Sequence, residues 1–249
     1  MNRLKNRRPR GAALVDILAA AAVATAILAI LFVAPTEATM GLAQRIVYVH
    51  VAMAWLGLAG FLVMATTAAI YLARRDLAWD QWSQSAAELG WLASSLTLAT
   101  GSLWAHATWN TWWTWDPRLM TSFILWAVYC GYLLVRGSLE EPHLRARLAA
   151  VLAITGVLDV PLVIMATRWF RGIHPVAPKM DPAMHGVLLL SVAGFTAFFA
   201  LLLVRRRAQL RLDGLLADID AGGVWTAECG ADETHPTPHT LPFTLHLEE

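Results

Sequence analysis

Charge is scarce in this chain. Of its 249 residues only 15% are Asp, Glu, Lys or Arg, against about 25% in ordinary soluble domains. Cysteine is scarcer still: Cys130 and Cys229 stand alone, and no CxxC or CxxCH pattern occurs. Thiol redox chemistry and covalent attachment of a prosthetic group are therefore disfavoured. No phosphate-cradling glycine loop is present, so the chain does not itself hydrolyse ATP. Internal repeats are absent too. Extended polar sequence is missing until about residue 208. With 57% hydrophobic residues, the chain carries far more apolar surface than one globular core of this length would bury, and lipid is the solvent this implies.

The chain does hold about six long apolar runs, at 12–34, 46–72, 84–103, 120–135, 148–167 and 184–204. Each is near the ~20 residues that cross a ~30 Å hydrocarbon layer as a helix; the fourth is shortest and borrows length from its flanks. The runs are continuously apolar rather than alternating, and helices satisfy their backbone hydrogen bonds within one segment. The expected fold is an all-α integral membrane protein, a bundle of about six transmembrane helices. If the N-terminus is cytoplasmic, 14 of the 19 Lys and Arg residues fall on inside segments and 5 outside, a positive-inside bias. Both termini are then cytoplasmic, and the 35–45, 104–119 and 168–183 connections lie on the outer face. The first run is longer than a signal-peptide core and lacks a small-x-small cleavage site, so it reads as a retained helix. Residues 1–207 form the expected membrane domain. Residues 208–249 form a polar cytoplasmic tail, partly disordered, beginning with a short amphipathic helix at "AQLRLDGLLADID".

Five of the twelve tryptophans fall between Trp104 and Trp115, most of them in "HATWNTWWTWDPRL". Indoles suit the headgroup level, so each ring alone fits an aromatic belt. A belt scatters its rings around the bundle, however, whereas Trp109, Trp112, Trp113 and Trp115 share one short loop with Asp116 and Arg118. Such a loop can lay an apolar platform for a large planar ligand. Asp116, acceptor-only when ionised, either orients an indole N–H or contacts a partner. Four histidines lie near the outer boundary: His50, His106, His174 and His185. His50 sits about one turn into the second run, where an ionisable group is costly without a partner; it is either a hydrogen-bonded core histidine or a metal ligand. His106 and His185 read as bystanders. Asp159 and Pro161 interrupt the fifth run, the first as an interhelical hydrogen-bonding group and the second as a kink.

"WNTWWTWDPRL" resembles the tryptophan-rich WWD signature of haem-handling proteins, and the whole chain is similar to the haem exporter protein C family (cytochrome c maturation protein C). The likeness covers about residues 40–205 and includes "RIVYVH", "GSLW" and "WDPRL". It implies a multi-pass protein of the bacterial inner membrane that holds non-covalent haem b at the periplasmic face, with His50 and His174 as axial ligands. Trp109, Trp112, Trp113, Trp115 and Asp116 become the platform. Arg45 and Arg118 match arginines of the family pattern, paired with haem propionates or with headgroup phosphates. The resemblance further implies transfer to a periplasmic haem chaperone, beside ABC transporter subunits and a small single-span membrane protein, with no nucleic-acid partner and no ATPase of its own. A haem lyase or synthase, or a permease subunit conducting haem, are the alternative readings. The lyase relatives carry more spans and further intramembrane histidines. A permease needs more polar residues at mid-membrane depth than Asp159. Two departures from the family are Asn110, usually Gly, and Met120, at a position often polar.

Overall fold

The computed structural model describes residues 10–170, 172, 174 and 180–231. Among them the regular elements are helices: α1 (Arg10–Leu28), α2 (Gln44–Arg74), α3 (Leu77–Trp109), α4 (Pro117–Ser138), α5 (Pro142–Gly156), α6 (Asp159–Trp169) and α7 (Pro182–Ala231), with a π-helical turn (Ala29–Val33) closing α1. The described residues divide after Gln209 into two units. The expected short helix at 208–220 is found as part of α7, because no helix breaker separates it from the preceding run. The disorder expected beyond residue 220 is not found as far as Ala231, where α7 ends; residues 232–249 lie outside the described residues.

Five segments are long and apolar enough to cross a membrane: Gly11–Val33, Gln44–Arg74, Pro117–Ser138, Pro142–Ala166 and Pro182–Ala217. The sixth expected span is α3, 33 residues long but more polar. Some of its polar side chains pair across the bundle. Ser83 meets the Tyr132 hydroxyl at 2.8 Å, and Ser95 accepts from the Trp126 indole at 2.9 Å. The described residues thus form an all-α, multi-pass membrane bundle. The fifth span is broken at Val157 and Leu158 into α5 and α6, with Pro161 in the first turn of α6, where its missing N–H costs nothing.

Local chemistry sets the boundaries. Asp76, Asp116 and Glu141 cap α3, α4 and α5 through their carboxylates, and Pro117 and Pro142 follow in the first helical turn. α2 ends at Arg75 and α3 at Asn110, both left-handed. Asn tolerates that conformation better than most residues, so the turn survives without glycine. The helix carries Trp104, His106 and Trp109 with it, and the connection anticipated at 104–119 shortens to 110–116.

The core joins α2, α3, α4 and α5 around Phe61, Met64, Tyr71, Tyr129 and Tyr132. α5 presents Ala146, Ala149, Ala150 and Ala153, all buried, at i, i+3, i+4 and i+7. Small residues let helix backbones approach closely where lipid offers no hydrophobic drive. A Cβ at Gly90 would lie 2.1 Å from the Tyr129 hydroxyl, which donates to the Gly57 carbonyl at 2.8 Å and so ties α4 to α2 across α3.

The two ends of the bundle differ in chemistry. One end is arginine-rich. Arg136 forms a buried two-pronged pair with Asp80 at 2.6 and 2.8 Å, and Gln84 accepts a further bond at 2.6 Å. Arg205 pairs with Asp16 at 2.6 Å, and Arg206 with Glu88 at 2.5 and 3.0 Å. The opposite end gathers the π-turn, the start of α2, the end of α3, the start of α4 and the start of α7. There Ala29 and Ile30 pack with Tyr48, Met184 and Val187.

Candidate functional site

His50 lies in the second turn of α2, on the face turned to α3. Its Nδ1 meets the Thr97 carbonyl at 3.1 Å and the Thr100 hydroxyl at 3.2 Å, which commits that nitrogen and leaves Nε2. Gly101 makes room for the ring: a Cβ there would stand 2.9 Å from His50 Cε1. Across from it, the His174 ring centroid is 6.5 Å from that of His50, with the planes tilted by 39°. The two histidines, 124 positions apart in sequence, therefore face one space. His185, the other histidine near the last connection, is exposed in the first turn of α7 with Nδ1 3.2 Å from the Asp181 carbonyl, and does not border that space.

The space is a cleft between α2, α3, α4 and α6. Its walls are Trp104, Trp109, Trp112, Trp113, Leu119 and Leu125, its floor includes Ser94 and Val163, and Arg118 joins the two histidines on its lining. About 880 Å³ lies between the atoms with the open mouth included, yet a water-sized molecule's centre can occupy only about 100 Å³. The cleft is a narrow slot rather than a chamber. Its rings meet edge to face rather than forming one flat sheet: Trp104 and Trp109 at 4.8 Å and 71°, Trp113 and Trp115 at 5.8 Å and 78°. That arrangement puts the positive edge of one ring on the negative face of the next.

The sequence-predicted residues separate into two groups. His50, His174, Trp109, Trp112, Trp113 and Arg118 line the slot. Trp115, 74% exposed, Asp116 and Arg45 stand outside its lining. Asp116 accepts from the N–H groups of Arg118 and Leu119 at 3.0 and 3.1 Å and from the Thr114 hydroxyl at 3.0 Å. It fixes the start of α4, and the sequence did signal this in an aspartate directly before a proline. Gly172 also packs on it, since a Cβ there would come within 3.1 Å of Asp116 Cβ, so the segment carrying His174 is joined to the tryptophan connection. Arg45 occupies the first turn of α2.

Two features went unanticipated. Trp104, only 7% exposed, is a wall of the slot. Its placement one turn beyond Gly101 on α3 was the available signal. His106 is not a solvated bystander: it stacks on Trp112 with ring centroids 4.0 Å apart and planes 9° apart. Asp159 departs from expectation in the other direction. It is buried, and its Oδ2 has no hydrogen-bond partner among the described residues, so the anticipated interhelical bond does not form. The break before α6 instead puts the carboxyl at the positive end of that helix.

Fold and slot define a class: a multi-pass helical membrane protein with an aromatic, histidine-bearing slot at one end of its bundle. Residues 4–214 match the family model described as Heme exporter protein C. The Heme exporter protein C of Paracoccus denitrificans is 34% identical over 226 residues, covering 87% of this chain and 94% of its own. That of Escherichia coli K12 is 30% identical over 183 residues, 72% of this chain and 75% of the relative. A cytochrome c biosynthesis ccmC-like mitochondrial protein of Marchantia polymorpha is 29% identical over 181 residues, 72% and 77% of the two chains. The chain belongs to the haem exporter protein C family. Membership makes it a haem-handling component of cytochrome c maturation.

Proposed function

We propose that this protein holds haem b as non-covalent cargo in the slot, at the periplasmic face of the inner membrane, and passes it to a periplasmic haem chaperone. His50 and His174 are the axial ligands. The observation that carries this reading is their separation. An imidazole nitrogen about 2 Å from a metal on each side puts the two ring centroids roughly 6 Å apart, close to the 6.5 Å between His50 and His174. The Thr97 carbonyl acts on His50 as outer-shell carbonyls act on metal-bound histidines, fixing the tautomer so that Nε2 faces the ion.

The slot's chemistry suits the rest of the molecule. Trp109, Trp112 and Trp113 offer apolar surface to the macrocycle, with Trp115 and Asp116 shaping the connection that presents them. Arg118 inside the slot and Arg45 at the start of α2 attract the propionates. Bound haem supplies the iron and this carboxylate edge; the protein binds, orients and shields it. Trp112, 56% exposed, leaves one wall open to a receiving protein. The arginine-rich end faces the cytoplasm, with both termini and the 208–249 tail on that side. The protein works without an ATPase of its own, beside ABC transporter subunits and a small single-span membrane protein.

The test is the visible absorption spectrum of the detergent-purified protein, with His50→Ala and His174→Ala beside it. A low-spin bis-histidine spectrum is expected, converted to high spin or lost in each variant. A wild-type protein that takes up no haem on reconstitution sinks the proposal.

A further inference from the structure

Three indole N–H groups of this bundle have side-chain partners. Trp55 donates to the Thr196 hydroxyl at 3.2 Å, Trp91 to Cys130 Sγ at 3.2 Å and Trp126 to the Ser95 hydroxyl at 2.9 Å. Trp104 and Trp113 break the pattern. Their Nε1 atoms are buried and have no hydrogen-bond partner among the described residues, and both residues line the slot. A buried donor left unsatisfied costs about 1–3 kcal/mol. Two such donors in one narrow space therefore point to a ligand rather than to packing alone.

The chemistry of that ligand is constrained. An indole nitrogen only donates, so what meets it is an acceptor. Arg118, on the same lining, selects for a negatively charged one. Depth is constrained as well. Trp104 follows Gly101, which packs on His50, by three residues of helix, about 4.5 Å of rise. The Trp104 backbone thus lies one step from the histidine level toward the outer end of α3, where the edge of a molecule centred between the histidines would fall.

We propose that the indole N–H groups of Trp104 and Trp113, with Arg118, form a carboxylate-binding corner of the slot that fixes the in-plane orientation of the bound macrocycle. This rests on the haem-holding reading above and adds to it the atoms that recognise a propionate. Hydrogen bonds to an ionised acceptor in a water-poor slot are roughly twice as strong as neutral ones. Trp104 is then a binding residue in its own right, through one nitrogen that phenylalanine lacks.

The experiment titrates two ligands into full-length protein in detergent: haem, and octaethylhaem, which keeps the iron and the macrocycle but has no carboxylates. Trp104→Phe and Trp113→Phe are compared with the wild type. Each variant is expected to weaken haem binding about tenfold more than it weakens octaethylhaem binding, the size of one charged hydrogen bond. Retained octaethylhaem binding also reports that the slot still folds, and if one variant fails to fold the other carries the test. Equal losses for both ligands in the folded variants would overturn the proposal in favour of ring packing. No loss for haem would overturn it too, the N–H groups then being met by water. A wild type that binds haem no better than octaethylhaem would refute the corner alone. One that binds neither would refute the haem-holding reading from which the corner follows.

Discussion

His106 lies flat against Trp112, ring centroids 4.0 Å apart and planes within 9° of parallel. The histidine sits in the last turn of α3 and the tryptophan in the 110–116 connection, so the stack holds that connection against the helix. His106→Ala frees the back of Trp112. An aromatic pair contributes about 0.5–1.5 kcal/mol beyond its buried area, so haem affinity is expected to fall by a factor of about 2 to 10. His106→Phe keeps the stack and most of the affinity. Haem titration with intrinsic tryptophan fluorescence checks both, and an alanine variant indistinguishable from wild type would show the stack to be idle.

Gly101→Ala tests the seat of His50. The new methyl group would stand 2.9 Å from Cε1, tighter than the ring can accept in place. The imidazole must turn off Thr97, which removes the outer-shell bond. Loss of such partners weakens metal affinity about 10- to 100-fold. The expected signature is a shifted Soret band with a thermal midpoint near that of the wild type. An unaltered spectrum would contradict it.

At the arginine-rich end, Asp80→Ala strands the buried Arg136 guanidinium. Breaking one partner of a buried pair costs about 3–5 kcal/mol, so detergent-solubilised Asp80→Ala is expected to unfold well below the wild type. The double replacement Asp80→Leu with Arg136→Met recovers most of the loss. Failure of the double variant to recover would mean that Gln84 and Tyr132 depend on the arginine more than the pair does.

Asp116 separates capping from ligand contact. Asp116→Ala removes an N-cap, a loss of about 0.5–2 kcal/mol. Asp116→Asn and Asp116→Ser retain the cap and are expected to retain haem. If Asp116→Asn keeps the thermal midpoint but loses haem, the carboxylate has a direct role that its capping geometry does not reveal.

Glu37 gives a pH dependence. N–H groups of Met40 and Thr39 and the Thr39 hydroxyl converge on its carboxylate and hold its pKa below the ordinary 4.5. A carboxylate depressed on folding stabilises its turn fully above its unfolded pKa, and that contribution is lost as pH falls through the lowered folded value. Hydrogen exchange at Met40 should therefore lose its protection, relative to Glu37→Gln, only on the acid side of pH 4.5. Protection that is the same in both proteins at neutral pH would rule this out.

Much of the fold was legible because lipid imposes one rule on every residue of a span. Runs of apolar sequence fixed the helices, and arginine placement separated the two ends. What stayed hidden were contacts decided by side-chain geometry across long sequence distances. The Asp80–Arg136 pair joins the first turn of α3 to the last turn of α4, and no local pattern announces it. Asp16 on α1 and Glu88 on α3 likewise pair with Arg205 and Arg206 on α7. In the slot, residue type was enough to nominate His50 and the loop tryptophans. Preferring His174 to His185 took the family resemblance, and the folded chain sets only His174 opposite His50. Trp104 stands ahead of the cluster that nominates the loop tryptophans, and its unpaired nitrogen becomes visible only once its neighbours are placed.

The break between α5 and α6 separates two kinds of support. His50 stands on α2, packed along α3 and tied there through Gly90 and Tyr129, while His174 follows α6, a helix of only eleven residues that begins at the break. The two imidazoles that face one space thus stand on unlike supports, one inside a 31-residue helix and the other beyond a helix of eleven. Their spacing is set by two separate parts of the chain, and the α5–α6 break enters only one of them.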